Sequence, residues 1–121
     1  MPNKISRKGL IKKLDSIVSK IVIDRDSRCM CCGTTNQLTA GHLFSRRGYS
    51  TRWDLDNVYA QCWPCNYKQK VTGDPYPLMN YAIKKHGQKL IDELHRRYVT
   101  PHKFKTYELE LLYQNLEKEN L

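Results

Sequence analysis

Two short strings carry metal-ligating chemistry, Cys29-Met-Cys-Cys32-Gly and Cys62-Trp-Pro-Cys65-Asn66. Each sets two thiols three positions apart, the spacing with which a tight turn presents both sulfurs to one ion. Two such pairs complete a closed tetrahedral site, and the ion suited to four thiolates without redox chemistry is Zn²⁺. Cys29, Cys32, Cys62 and Cys65 are therefore the predicted ligands of one structural zinc per chain. Cys31 lies between two of them and is predicted to point away from the metal. A redox C-x-x-C would need a thioredoxin-like βαβ setting, which the pattern lacks. A purely structural knuckle has no use for an amide directly after its last cysteine, so Asn66 is a candidate for a second site.

The 29 residues between Cys32 and Cys62 form a longer gap than a zinc ribbon needs, and they contain AGHLFSRRGYSTRWDLDN. His42 is the only histidine of the block 26–75; Asn57 follows it by 15 positions and Asn66 follows Asn57 by nine. A histidine at a strand end, an asparagine in the loop before the next strand and an asparagine on the following helix can converge on one point of a β-β-α unit. Arg46, Arg47 and Arg52 lie in the same stretch.

His42, Asn57 and Asn66 resemble the His-Asn-His/Asn signature of the HNH, or ββα-metal, nucleases. The flanking cysteine pairs resemble the zinc-bearing branch of that superfamily, which includes the phage endonuclease VII resolvases, where an asparagine also follows the last zinc cysteine. The string AGHLFSRRG…RW…DNVYAQCWPCN, followed by TGD and a helix with HG, is similar to the lambdoid NinG (Rap) recombination nucleases over roughly residues 28–95. The resemblance implies a small α+β fold, a ββα-metal core with a four-cysteine zinc site flanked by N- and C-terminal helices. It implies a metal-dependent endodeoxyribonuclease acting on branched recombination intermediates such as Holliday junctions and D-loops, leaving 5′-phosphate and 3′-hydroxyl ends.

In that scheme His42 is the general base, suited to the task near neutral pH. Asn57 fixes the loop and the orientation of His42, and Asn66 binds Mg²⁺ or Mn²⁺ through its side-chain oxygen. Arg46 or Arg47 balances charge on the phosphate. Many members place Asp or His directly before the base as a second metal ligand; here that position is Gly41, and Asp54 and Asp56 are the nearby alternatives. Two competing readings are a non-catalytic zinc module that binds nucleic acid, and an HNH nuclease of restriction or homing type acting on duplex DNA. The first gives no reason for the three polar residues at these offsets, and the second lacks a recognition domain.

The elements that must position these residues follow from periodicity. Leu10, Ile11, Leu14, Ile17, Val18 and Ile21 predict an amphipathic helix over 7–22, within a basic N-terminal helix or arm at 1–25. The zinc-bound core spans 26–75, with strands at 38–45 and 57–61 and a helix from Pro64 to about Lys70. Gly73, Asp74 and Pro75 end it. The region 76–121 is predicted to be helical: one helix interrupted by Gly87, another through Leu90, Ile91 and Leu94, and a last one opened by Thr100-Pro101 as cap and first residue. Trp53 and Trp63 are expected to pack in the core or against the zinc site, and His86, His95 and His102 to be surface residues on helices.

With 121 residues and a mean hydropathy of −0.70, the chain has room for one domain with a thin core. No stretch has the length of a membrane span and the N-terminus lacks a signal-peptide pattern, so a reducing cytoplasm is expected. The net charge of +9 points to a polyanionic partner, which the resemblance implies is DNA. Residues 1–28 carry +5, from eight Lys/Arg against three Asp. Lys12 and Lys13 there, Arg52, and Lys68 and Lys70 on the helix of Asn66 are the predicted DNA contacts. A two-fold symmetric junction calls for two paired cuts, so a homodimer is expected, with the terminal helices supplying the interface.

Overall fold

The computed structural model describes residues 5–120. The element order is α1 (Arg7–Asp26), β1 (Leu38–His42), α2 (Tyr49–Arg52), β2 (Val58–Cys62), α3 (Trp63–Thr72), α4 (Tyr76–His86), α5 (Gln88–Tyr98) and α6 (Thr106–Glu119). The fold is α+β. Its sheet is one antiparallel pair, in which Ala40 lies opposite Ala60 and His42 opposite Val58.

Successive strand residues face opposite sides, and the two sides of this pair are both covered. Ala40 and Val58 meet Leu10, Leu14, Ile17, Val18 and Val22 of α1, which in turn pack on Leu109 and Leu116 of α6. On the other side Tyr59 and Leu43 meet Leu78 and Ala82 of α4 and Ile91 and Leu94 of α5. Every residue of β2 is buried as a result. The strand therefore lacks the alternating pattern of a half-solvated sheet and reads VYAQC.

Several sequence expectations shift here. α1 runs past Ile21 to Asp26 because its last turn has work at the sheet. Arg25 donates to the carbonyls of Leu55 (2.9 Å) and Val58 (2.7 Å), and Asp26 accepts from the Ala60 N–H (2.8 Å). β1 stops at His42, earlier than the predicted 45, because the chain turns into a loop pinned by Asn57. That loop contains α2, a single helical turn that was not anticipated. β2 is shifted one residue from 57–61, and α3 runs to Thr72, where Gly73 closes it in the left-handed conformation (φ 71°).

Thr100-Pro101 does not open the last helix. The Thr100 hydroxyl donates back to the Arg96 carbonyl at 2.7 Å, closing α5. α6 begins at Thr106, where the Glu108 carboxylate accepts from the Lys105 N–H at 2.9 Å. His102 consequently lies in the connection, its ring edge-on to Phe104, while His86 and His95 are exposed helix residues as expected. Trp53 is in the core, but Trp63 is not: it is more than half exposed. Among the described residues no helix is long and apolar enough to cross a membrane.

Leu14 is completely buried between α1, the sheet and α6. Leu14→Ala is expected to lower unfolding free energy by about 2–5 kcal/mol, read from the denaturant midpoint of the zinc-loaded protein.

Candidate metal centre and catalytic cleft

The Sγ atoms of Cys29, Cys32, Cys62 and Cys65 all lie within 4.8 Å of one another, and Cys32 and Cys62 are 3.7 Å apart. A regular tetrahedron with Zn–S bonds of about 2.3 Å has S···S edges of about 3.8 Å, so the four cysteines can hold a zinc ion. The first pair sits on a turn closed by Gly33 N–H to the Cys29 carbonyl (2.9 Å), and the N–H groups of Cys31 and Cys32 point at the Cys29 sulfur (3.4 and 3.5 Å). Those N–H groups and that of Cys62 outweigh burial and hold the Cys29 thiol down, to about 6. Burial and the neighbouring sulfurs push Cys65 far above the ordinary thiol range, and Cys62 is raised as well. Four thiolates cannot share this space alone; a divalent cation removes the conflict. Cys31 lies outside the cluster. Its sulfur accepts from Gln61 Nε2 at 3.3 Å, and burial raises its pKa, so it is a neutral thiol.

The second pair ends β2 and starts α3, with Cys62 as the cap residue and Pro64 in the first turn. This fixes where α3 leaves the sheet. Asn66 and Gln69, one turn apart on α3, then reach the open edge of β1. Asn66 Nδ2 donates to Thr39 Oγ1 (3.0 Å) and to the Ala40 carbonyl (3.4 Å), and Gln69 Nε2 donates to the His42 carbonyl (2.9 Å). A carbonyl only accepts, so both amide orientations are settled. Asn66 Oδ1 is left without a partner among the described residues, whereas Gln69 Oε1 accepts from Gln61 Nε2 at 2.9 Å.

His42 ends β1. Its Nε2 lies 3.0 Å from the Arg52 carbonyl, which makes Nε2 the protonated nitrogen and Nδ1 the free one. Burial lowers the pKa of the ring below 6.5; the Arg52 carbonyl opposes this, and the charge of Arg46 adds to it. Among the described residues Asn57 makes no hydrogen bond to His42. It is fully buried, with Oδ1 accepting from the Phe44 N–H (2.8 Å) and Nδ2 donating to the carbonyls of Phe44 and Thr51 (3.0 Å each). It therefore pins the 44–51 loop and delivers the next residue's carbonyl to the imidazole.

Asp15 of α1 organises the arginines. Its carboxylate accepts from Arg52 Nε (3.0 Å) and Nη2 (2.6 Å), Trp53 Nε1 (2.9 Å) and Arg46 Nη2 (3.1 Å). Burial raises its pKa, but the Arg52 and Trp53 bonds more than reverse this and hold it ionised. Arg52 is thus a largely buried structural ion pair as well as a cleft residue, and Arg46 is shared between Asp15 and solvent. The Arg47 guanidinium has no partner among the described residues.

These groups share one open depression of about 840 Å³, whose wall includes His42, Arg46, Arg47, Arg52, Asn66 and Lys70. Lys68 is exposed but outside it. Lys12 and Lys13 line a separate hollow between α1 and α6, where Lys13 Nζ lies 5.1 Å from the centre of the Tyr113 ring. Asp54 pairs with Arg97 (2.6 Å), and neither it nor Asp56 reaches the cleft. Position 41 cannot hold a ligand either: a Cβ on buried Gly41 would land on Gln61 Oε1 and within 2.8 Å of Gln61 Cδ. The place of that side chain is taken by the Gln61 amide, whose Oε1 has no hydrogen-bond partner among the described residues. Thr39, Gln61 and Gln69 escaped sequence reasoning; the one available sign was a glutamine three positions after Asn66.

The family model described as Bacteriophage Lambda NinG protein matches residues 3–119. The chain belongs to the NinG family. The match takes in the terminal helices as well as the cysteine-bearing core, so it extends well beyond the 28–95 segment that carried the motif. No curated protein and no solved structure gives a significant match.

Two outcomes follow from the centre. Elemental analysis is expected to find about one Zn per chain, falling below half an equivalent in Cys65→Ser with a lower thermal midpoint. The lowered His42 pKa also sets a sign. The unfolded histidine takes up its proton at about 6.5 and the folded one lower. The His42 contribution to stability is therefore present above pH 6.5 and lost as pH falls from there through the folded value. His42→Gln should flatten that slope in denaturant midpoints measured between pH 7.5 and 5.

Proposed function

We propose that this chain is a metal-dependent DNA endonuclease of the HNH, ββα-metal type, in the zinc-bearing branch that includes endonuclease VII. Its substrates in this reading are branched recombination intermediates. The observation that carries the reading is the pairing in one basic cleft of an imidazole whose Nδ1, and an amide whose Oδ1, have no partner among the described residues. Membership of the NinG family supports a role in phage recombination.

The residues present suit a hard divalent cation at Asn66. Oδ1 is a neutral oxygen donor of the kind Mg²⁺ and Mn²⁺ accept, and its amide nitrogen is anchored so that the oxygen stays presented. With position 41 occupied by Gln61, Asn66 is the residue that would hold the ion, through this one oxygen. A bound Mg²⁺ or Mn²⁺ would offset charge on the scissile phosphate and on the departing 3′ oxygen.

The protein groups divide the remaining work. His42, kept neutral by burial and oriented through Nε2, takes a proton from a water molecule at Nδ1. The water oxygen bonds to phosphorus as the P–O3′ bond breaks; the departing 3′ oxygen takes a proton from solvent and His42 returns its own to solvent, leaving a 5′-phosphate and a 3′-hydroxyl. Arg47, free of any protein carboxylate among the described residues, balances charge on a non-bridging oxygen, and Arg46 assists from its partial pairing with Asp15. Lys70, at the cleft, and Lys68, beside it, meet flanking phosphates. Paired cuts on a symmetric junction make the acting form a homodimer in this reading. Exposed Tyr107 and Leu111 on α6 give it an apolar surface to use.

The reading is tested with zinc-loaded protein, Mg²⁺ or Mn²⁺, and a panel of four-way junction, flap, duplex and single-stranded DNA. Wild type is expected to nick the branched substrates. His42→Ala should lose about 10²–10⁴-fold in rate, and Asn66→Ala should lose rate in a way that higher Mn²⁺ partly restores. Wild type and His42→Ala leaving all four substrates equally intact would defeat the proposal.

A further inference from the structure

α3 buries none of its residues, yet it carries Trp63, Tyr67 and Val71 at successive four-residue steps, 55%, 54% and 64% exposed. The spacing puts them on one face. Trp63 and Tyr67 stack with their ring planes 10° apart and centroids 5.0 Å apart. The rings lie against each other in an offset stack, and their exposure shows that much of both still meets solvent. Neither ring belongs to either hydrophobic cluster, so the fold has no packing use for this indole and phenol.

Their location supplies one. Both rings line the depression that holds His42 and Asn66. Basic residues share the place: Lys70 and Arg47 line the same depression, and exposed Lys68 follows Tyr67 on the helix, within a chain of net charge +9. A preformed aromatic surface edged by cations is the composition that receives unpaired nucleotides, because any base offers a π face while its phosphates meet the cations. A base held in duplex is already stacked on both sides and has no face to give.

We propose that Trp63 and Tyr67 form a base-stacking platform at the mouth of the cleft, which takes an unpaired nucleotide of the DNA strand beside the site of cutting. The position relative to the cut rests on the nuclease reading above; the platform itself does not. It makes the preferred substrate one with unstacked bases at or next to a branch.

Binding without cleavage tests this separately. The probe is a 12-nucleotide oligothymidylate against a duplex of the same length, with zinc-loaded His42→Ala protein so that the DNA stays whole. Trp63 emission is expected to be quenched by the single strand, and His42→Ala/Trp63→Ala should bind it about 5- to 100-fold more weakly. Duplex affinity should change less than twofold, and a Trp63→Phe version should keep most of the single-strand affinity. Zinc content and circular dichroism check that the variants fold, which the exposure of Trp63 favours. Equal losses on single strand and duplex, or no loss on either, would overturn the platform. So would conversion of a dimer to a monomer by Trp63→Ala in light scattering, which would make the stripe a contact between copies. Absence of cleavage by wild type would sink the nuclease reading alone, because the quenching needs no catalysis.

Discussion

A sheet of two strands has no interior strand, and each of its edges presents backbone groups that must find partners. The first cysteine turn, the end of α1 and the two amides of α3 are all attached to those edges. On the β1 side, the carbonyls of Ala40 and His42 point away from β2 and are met by Asn66 and Gln69. Residues two apart on a strand and three apart on a helix are spaced closely enough, about 6–7 Å and 5–6 Å, for this match. On the β2 side, Val58 and Ala60 are met by Arg25 and Asp26 at the end of α1, and by the N–H of Met30 in the first cysteine turn. The edges that would otherwise invite another strand are what fix both cysteine pairs and α3.

The same arrangement explains why two amides on one helix differ in what they offer. Gln69 is committed at both ends, to His42 and to Gln61. Asn66 is shorter, spends its nitrogen on the strand edge and keeps its oxygen. Gln61 in turn fills the space beside Gly41 that a carboxylate would need. The glycine before the histidine and the glutamine on β2 are thus one packing solution: a larger side chain at 41 requires Gln61 to leave. The orphaned Gln61 oxygen is a cost the interior carries for it.

Asp15 ties the N-terminal helix to the cleft. Its carboxylate holds Arg52, Trp53 and Arg46, and the Arg52 carbonyl holds His42. Replacing Asp15 would leave a mostly buried arginine unpaired, which is costly, and would loosen the loop that orients the imidazole. The charge of α1 therefore acts at two places: Asp15 inward at the cleft, and Lys12 and Lys13 outward beside α6.

The sequence by itself determined the elements whose signals are local. The four cysteines declared themselves by spacing, α1 by its 3.6-residue repeat, and the α3 start by proline after cysteine. His42, Asn57 and Asn66 stood out by their offsets between and beside the knuckles, which resemble the HNH signature. Tertiary structure alone decided what each of them touches. Asn57 turned out to hold the loop and Arg52 the imidazole, because hydrogen bonds form between groups 10 to 26 positions apart. It settled that Trp63 faces solvent and Trp53 does not, since one indole reads like another in a string. It also explained Gly41, a gap on paper, as space taken by a side chain from the neighbouring strand. Local propensity and spacing depend on the chain's own covalent order; the meaning of a missing side chain depends on what other part of the fold arrives to fill its place.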